Sequence, residues 1–113
     1  MSAVYVNNIV INAGSDFSQT FTLEDSETNS SLNLTGYNVA AQMRKWAGSS
    51  TAITFTTSLE FGSSGRIIIS LTSEETKNIN PGRYVYDILI TDSFGKKSRV
   101  IEGMVLVREG VTR

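Results

Sequence analysis

A clear strand signal lies in the stretch Asn80-Pro81-Gly82-Arg83-Tyr84-Val85-Tyr86-Asp87-Ile88-Leu89-Ile90. After Pro81 and Gly82, large aromatic and aliphatic residues occupy every second position from Tyr84 to Ile90. This period of two sends successive side chains to opposite faces of an extended backbone. We therefore predict a strand over about residues 82–92 with one face on a core. The other face would carry Asp87, paired across strands with Arg99 or Arg44.

The same alternation recurs along the rest of the chain. Val, Ile, Thr, Phe, Tyr and Trp favour a pleated surface that is buried on one side. Loops rich in Gly, Ser, Asn and Asp separate the alternating runs. Short strands at fairly even spacing are typical of an antiparallel β-sandwich or barrel. We predict about seven strands, at residues 3–11, 17–24, 36–46, 51–59, 65–71, 82–92 and 97–108.

The predicted core consists of the rings and aliphatic side chains on the inward faces of these strands. Burying one such side chain contributes about 1.5–3 kcal/mol, so a set of them can hold two sheets together. The expected set is Phe17, Phe21, Leu34, Val39, Met43, Phe55, Ile67, Ile69, Leu71, Tyr84, Tyr86, Ile88 and Ile90.

Two places interrupt the alternation. Asn7-Asn8 separates two apolar runs that do not share one register, and Glu102-Gly103 interrupts the outward set of the last strand. A β-bulge at each place would account for the interruption, and glycine suits a bulge.

One short segment has helical rather than strand character. Thr72 and Glu75 have the spacing of a capping box, in which each side chain bonds the backbone of the other residue. We expect a single helical turn near residues 73–78, because Pro81 prevents a longer helix. Glu74 and Glu75 would stabilise its first turn rather than bind a metal.

Length and composition indicate one globular domain over residues 1–113 and exclude several classes of function. The chain contains no cysteine and no histidine, which excludes disulfides, thiol nucleophiles and histidine-based triads. Its formal net charge is -1, so no overall electrostatic field favours binding to nucleic acid or to an anionic membrane. We find no membrane span and no secretory signal, and expect folding in a cytoplasm.

Carboxylates are the only candidate catalytic side chains that remain. Asp16, Asp25, Asp87 and Asp92 do not form a pair with the spacing that hydrolysis of a glycoside needs. Calcium needs several converging oxygens, and the acidic loop at residues 24–27 is expected to be solvated instead. We therefore expect no enzymatic activity, no metal and no cofactor.

Exposed aromatic residues are the best indication of a binding surface. Trp46 occupies an alternate position that its predicted strand otherwise fills with polar residues. Phe94 lies at a predicted hairpin tip, and Tyr5 faces the side of its strand opposite to its two neighbours. Trp46 either marks an interface or caps the end of the core, and Phe94 is expected to fold back over the end of the sandwich. A basic run beside the tip completes the possible interface set of Tyr5, Trp46, Phe94, Lys96, Lys97 and Arg99.

Two motifs give the chain a family resemblance. Residues 34–37, Leu-Thr-Gly-Tyr, precede one strand, and residues 81–87 contain Pro-Gly-x-Tyr-x-Tyr-Asp. The second motif resembles the corner of an immunoglobulin-like domain, where Tyr84 would bond upstream backbone and Tyr86 would replace a cysteine. In this order, over about residues 9–112, the motifs resemble the immunoglobulin-like domain of tailed-phage structural proteins, notably the N-terminal domain of upper baseplate proteins.

The resemblance implies an immunoglobulin-like sandwich with a non-enzymatic role in virion assembly. It implies partners among other virion structural proteins, homo-oligomers and no cofactor. From the charge and the lack of a long apolar run we expect neither nucleic acid nor a membrane as a ligand. A second hypothesis is a small carbohydrate-binding or adhesion module. Such a module would stack a sugar on Trp46, Tyr5 or Phe94.

Overall fold

The computed structural model describes residues 5–24, 33–60 and 65–112, which form two β-sheets and one short helix. Alternating apolar residues produce the strands, and glycine-rich or asparagine-rich turns end them. The strands are β1 (Tyr5–Val6), β2 (Ile9–Asn12), β3 (Phe17–Thr22), β4 (Asn38–Arg44), β5 (Ile53–Thr54), β6 (Thr56–Glu60), β7 (Arg66–Leu71), β8 (Gly82–Thr91) and β9 (Lys97–Arg108). The helix α1 (Ser73–Lys77) lies between β7 and β8.

The two sheets form a sandwich with an immunoglobulin-like strand order. The larger sheet has the order β1-β9-β8-β4-β5, with β2 also paired to β9, and the smaller has the order β3-β7-β6. Strand sets of this order in two facing sheets are those of an immunoglobulin-like sandwich. The predicted all-β sandwich is therefore confirmed.

Two predicted strands are divided, and both parts of the N-terminal one pair differently from the expected antiparallel arrangement. The strand predicted at residues 3–11 is split into β1 and β2, and its first two residues lie outside the described ranges. The strand predicted at 51–59 is split into β5 and β6, which belong to different sheets. Both β1 and β2 run parallel to β9.

The helix confirms the predicted capping box. Thr72 accepts a hydrogen bond from the Glu75 backbone N–H at 3.2 Å, and Glu75 accepts one from the Thr72 N–H at 2.9 Å. The helix ends at Lys77, with Asn78 as its C-cap. Thr76 is fully buried, and its hydroxyl accepts from the Gly14 N–H and donates to the Ser15 carbonyl, so it ties the helix to the turn before β3.

The core lies between the sheets and agrees with most of the predicted set. Phe17, Val39 and Tyr84 are only half-buried and pack against the margin of the buried cluster. Sequence reasoning left out the buried aliphatic residues of β2 and β9, whose alternation is interrupted. The full buried set is Ile9, Ile11, Phe21, Leu23, Leu34, Ala41, Met43, Phe55, Ile67, Ile69, Leu71, Ile79, Tyr86, Ile88, Ile90, Val100, Ile101, Val105 and Val107.

The tyrosine corner is present at the start of β8. The Tyr84 hydroxyl donates to the Asn80 carbonyl oxygen at 2.7 Å, as the motif predicted. Tyr86 is buried, lies edge-on to Phe55 with ring centroids 6.4 Å apart, and donates its hydroxyl hydrogen to the Asn7 carbonyl. Tyr86 thus combines apolar packing with a polar link between β8 and the N-terminal strands.

The irregularities near the N-terminal strands differ from those predicted. The register of β1 and β2 on β9 is the same on both sides of Asn7-Asn8, so this break is not a bulge. At this break the Asn8 side-chain oxygen accepts a hydrogen bond from the Met104 backbone N–H at 3.0 Å, where a regular ladder would use a backbone carbonyl. The register shift between β8 and β9 lies at Val100 rather than at Glu102-Gly103, because Leu89 pairs with Arg99 and Ile88 with Ile101.

Position 103 requires glycine because the backbone of Asn7 approaches it closely, and not because of a bulge. A Cβ atom on Gly103 would lie 2.2 Å from the Asn7 carbonyl oxygen. We expect Gly103→Ala to lower the free energy of unfolding by about 1–3 kcal/mol, since backbone must move to admit the methyl group. Urea denaturation measures the change. Gly48→Ala is the control, because its added Cβ would meet only the Trp46 side chain at 3.7 Å, and an equal loss in both variants would contradict this explanation.

Stability is expected to fall at alkaline pH because of Tyr86. Burial raises the pKa of Tyr86 to about 12. An unfolded tyrosine ionises near pH 10, so between about pH 10 and 12 the unfolded state releases a proton that the folded state keeps. Denaturation across this window should show the free energy of unfolding falling by about 2–3 kcal/mol more than in Tyr86→Phe. Parallel pH profiles for the two proteins would contradict the assignment.

Candidate functional site on the outer face of the six-stranded sheet

The outer face of the larger sheet carries apolar side chains that the core does not use. Val85 pairs with Met104 across β8 and β9, and Val10 pairs with Leu106 across β2 and β9. All four are exposed, with Met104 at 47% and Val10 at 50%. They form one continuous strip, which we call the outer apolar strip.

Beside this strip the sheet and one loop enclose a shallow concavity, the outer-face concavity. Its volume is about 580 Å³. Trp46, 62% exposed, stands at one rim, just beyond the end of β4. Its apolar lining includes Val85, Met104 and Ala47, and the polar part comes from Gln42, Arg44, Lys45, Asp87, Arg99 and Glu102.

Local hydrogen bonds hold the loop that carries Trp46. The Ser49 N–H donates to the Trp46 carbonyl at 3.0 Å, which closes a turn. Arg44 donates to the Ser49 carbonyl at 2.6 Å and to the Gln42 side-chain oxygen at 3.1 Å. The indole beside this turn is exposed rather than folded over the core, and its role in an interface stays a prediction.

Three charged side chains of the concavity pair with one another. Arg99 lies 3.3 Å from the Asp87 carboxylate and 3.4 Å from the Glu102 carboxylate. The predicted partner of Asp87 is thus Arg99, whereas Arg44 bonds Gln42 and Ser49. All three members of this cluster remain partly exposed, so each ion pair contributes less than about 1 kcal/mol to stability.

The six predicted interface residues do not form one site. Trp46 and Arg99 both line the outer-face concavity. Tyr5 lines a separate groove of about 290 Å³ between β1 and β3. The others, Phe94, Lys96 and Lys97, lie at and just after the hairpin tip between β8 and β9.

Phe94 does not fold back over the sandwich, contrary to the prediction. It is 95% exposed, because the tip is held in a tight turn that points the ring outward. The Asp92 carboxylate accepts hydrogen bonds from the backbone N–H groups of Phe94 and Lys96, each at 2.9 Å. Gly95 adopts a φ of 84°, which permits this turn.

Sequence reasoning missed the outer apolar strip. Its residues fall on the parity opposite the buried set in β2, β8 and β9. The signal was therefore present, since Val10, Val85, Met104 and Leu106 are large apolar residues at positions that alternation assigns to solvent.

Metal ligands are not brought together in the part of the chain that the structure describes. No group of three or more His, Cys, Asp or Glu side chains there could hold an ion. Of the acidic loop at residues 24–27, only Glu24 falls within the described ranges, so the expectation for that loop stands outside them. Within the same ranges no helix is long and apolar enough to cross a membrane.

Comparisons with known proteins match the fold and not the sequence. Neither a protein-family model nor a curated protein matches the chain. An adhesin, SrpA from Streptococcus sanguinis, is similar with a TM-score of 0.53 and 16% identity, over 89% of this chain and 54% of the adhesin chain. An internalin-like protein from Listeria monocytogenes gives a TM-score of 0.49 and 14% identity, over 95% of this chain and 28% of that one.

A third similar structure is a family 123 glycoside hydrolase from Clostridium perfringens. Its TM-score is 0.43 and its identity 12%, over 96% of this chain and 24% of the hydrolase. The chain thus spans about half or less of the length of these three proteins. At 16% identity the likeness to the adhesin shows a shared fold alone and says nothing about activity.

Proposed function

We propose that this protein is a non-enzymatic structural protein that acts by docking to other proteins and to copies of itself. The observation that carries the proposal is the outer apolar strip beside Trp46. Large apolar side chains on a strand face that alternation assigns to solvent gain free energy when a partner covers them. We assign the main docking surface for other proteins to the strip and the outer-face concavity together.

The composition of this surface supports a protein partner. Trp, Met and Arg are enriched at protein interfaces, and the residues that dominate binding lie near the centre of the contact. Here Trp46 and Met104 flank a lining that also holds Arg99. Because Arg99 already pairs with Asp87 and Glu102, a partner can cover these three side chains without leaving any one of their charges unpaired.

The proposed setting is a tailed-phage virion. The supporting feature is the order of two motifs, Leu-Thr-Gly-Tyr at residues 34–37 and Pro-Gly-x-Tyr-x-Tyr-Asp at residues 81–87. In that setting the partners are other virion structural proteins, and the sandwich acts as a rigid connector with no cofactor.

Replacing Met104 by aspartate should disrupt this docking. The proteins encoded next to this chain in its genome are the partners to titrate, with Trp46 emission as the readout. We expect binding to shift the emission to shorter wavelength and Met104→Asp to weaken affinity at least about tenfold, or 1.4 kcal/mol. Ser58→Asp adds the same charge to an exposed strand position of the smaller sheet and should leave affinity unchanged.

Two outcomes of that titration would contradict the proposal. One is that none of the neighbouring proteins binds the wild-type chain. The other is that Met104→Asp and Ser58→Asp bind as tightly as wild type. Circular dichroism of each variant confirms that it is folded.

A carbohydrate ligand is the second candidate, and Trp46 favours it. An exposed indole next to the polar groups of Gln42 and Asp87 is an arrangement that can stack a sugar ring and bond its hydroxyls. If this function holds, a glycan array should contain ligands that wild type binds and Trp46→Ala does not. Phe94→Ala is the matched control, since it removes an exposed aromatic residue that does not line the concavity. An array without any bound glycan would eliminate this candidate.

A further inference from the structure

The sheet edges differ in how they are protected from pairing with another chain. A free edge strand offers unpaired N–H and C=O groups, and proteins usually block it with charges, proline, a break or a very short strand. In the larger sheet, β5 has only two residues, and the opposite edge is broken at Asn7-Asn8. In the smaller sheet, β6 ends in a charged residue, Glu60.

The remaining edge, β3, has none of these protections. Its six residues, Phe17–Thr22, contain no charge and no proline, and its register on β7 is continuous from end to end. Among the described residues, no strand pairs with its other side. β3 is therefore the longest unprotected edge in the described part of the sandwich.

The register shows which backbone groups of β3 are free. The Leu23 N–H donates to the Gly65 carbonyl at 2.8 Å, and this bond continues the pairing that sets Phe21 opposite Ile67. In an antiparallel ladder, hydrogen-bonded pairs alternate with non-bonded pairs. The odd-numbered residues of β3 therefore bond β7, and the N–H and C=O groups of Ser18, Thr20 and Thr22 point away from the sheet.

We propose that β3 pairs with β3 of a second copy, antiparallel and about a two-fold axis at Gln19. The two three-stranded sheets then become one six-stranded sheet. In this register Ser18 of each copy lies opposite Thr20 of the other, and Asp16 lies opposite Thr22. The free backbone groups of both edges bond each other, and pairs of small hydroxyl side chains are favourable across strands.

Charge disfavours the neighbouring register whose axis lies at Thr20. Moving the axis to Thr20 would place Asp16 of one copy opposite Glu24 of the other, and like charges directly opposite each other are destabilising. With the axis at Gln19 no two charged side chains of β3 and its flanks are opposed. The contact is also closed by symmetry, so it gives a dimer and not a fibre.

The groove between β1 and β3 adds apolar contact to the backbone pairing. It is lined by Tyr5, Val6 and Phe21, and Val6 is 73% exposed. In the proposed register, Phe17 of the second copy lies opposite Phe21, beside this groove. This inference deepens the self-association in the proposed function and rests on it, and it assigns Tyr5 to the contact between copies.

A single introduced cysteine tests the register. Gln19 would face its own equivalent in a non-hydrogen-bonded pair, where Cα atoms are about 4.5 Å apart, within the range of a disulfide. The chain has no cysteine, so any cross-link comes from the introduced residue. We expect Gln19→Cys to form a covalent dimer under mild oxidation. Ser18→Cys, which faces Thr20, should cross-link at least about tenfold more slowly.

A proline substitution in β3 should break the proposed contact between copies. Thr20→Pro removes an N–H that points away from β7, so the fold should remain intact by circular dichroism. Sedimentation should show dimers for wild type and for Met104→Asp, and monomers for Thr20→Pro. Equal cross-linking of both cysteine variants, or a monomeric wild type at millimolar concentration, would overturn the proposal.

The same variants separate this proposal from the proposed function. If Gln19→Cys does not cross-link while Met104→Asp still weakens partner binding, the β3 contact is wrong and the docking surface stands. If Thr20→Pro is monomeric while Met104→Asp changes no binding, the docking surface is wrong and the contact between copies stands. Loss of dimers in Met104→Asp would place self-association on the outer face and overturn the β3 proposal.

Discussion

Burial of the inward side chains of β8 is the constraint on which the rest of the structure depends. β8 lies between β4 and β9 in the larger sheet and pairs with both. Its buried residues Tyr86, Ile88 and Ile90 face the smaller sheet. Because the chain has no cysteine, apolar packing holds the two sheets together, and the Tyr86 bond to Asn7 links β8 to the N-terminal strands.

The same constraint determines what is left for the surface. Once alternate residues are committed to the core, their neighbours must face outward, whatever their chemistry. On β8 and β9 those neighbours include Val85, Met104 and Leu106, so the rule that buries the isoleucines also exposes the outer apolar strip. A docking face and a core are thus two sides of one strand pattern.

The N-terminal strands create the second surface. Because β1 and β2 pair with β9, they extend the larger sheet and do not cover β3. Gly103 permits this course, since the Asn7 carbonyl occupies the space of a side chain there. The proposed contact between copies therefore depends on which sheet the first strands join.

Local patterns by themselves determined the sandwich class, the capping box at Thr72 and Glu75, and the tyrosine corner at Tyr84. Each depends on residues close together in the chain, where the periods and spacings are visible in the sequence. The parallel pairing of β1, the shift at Val100 and the presentation of Trp46 and Phe94 were decided by tertiary structure. The pairing of β1 and the shift at Val100 depend on contacts between segments distant in the chain, and the two aromatic side chains depend on turn hydrogen bonds. Neither kind of interaction is visible in the alternation of residues along the sequence.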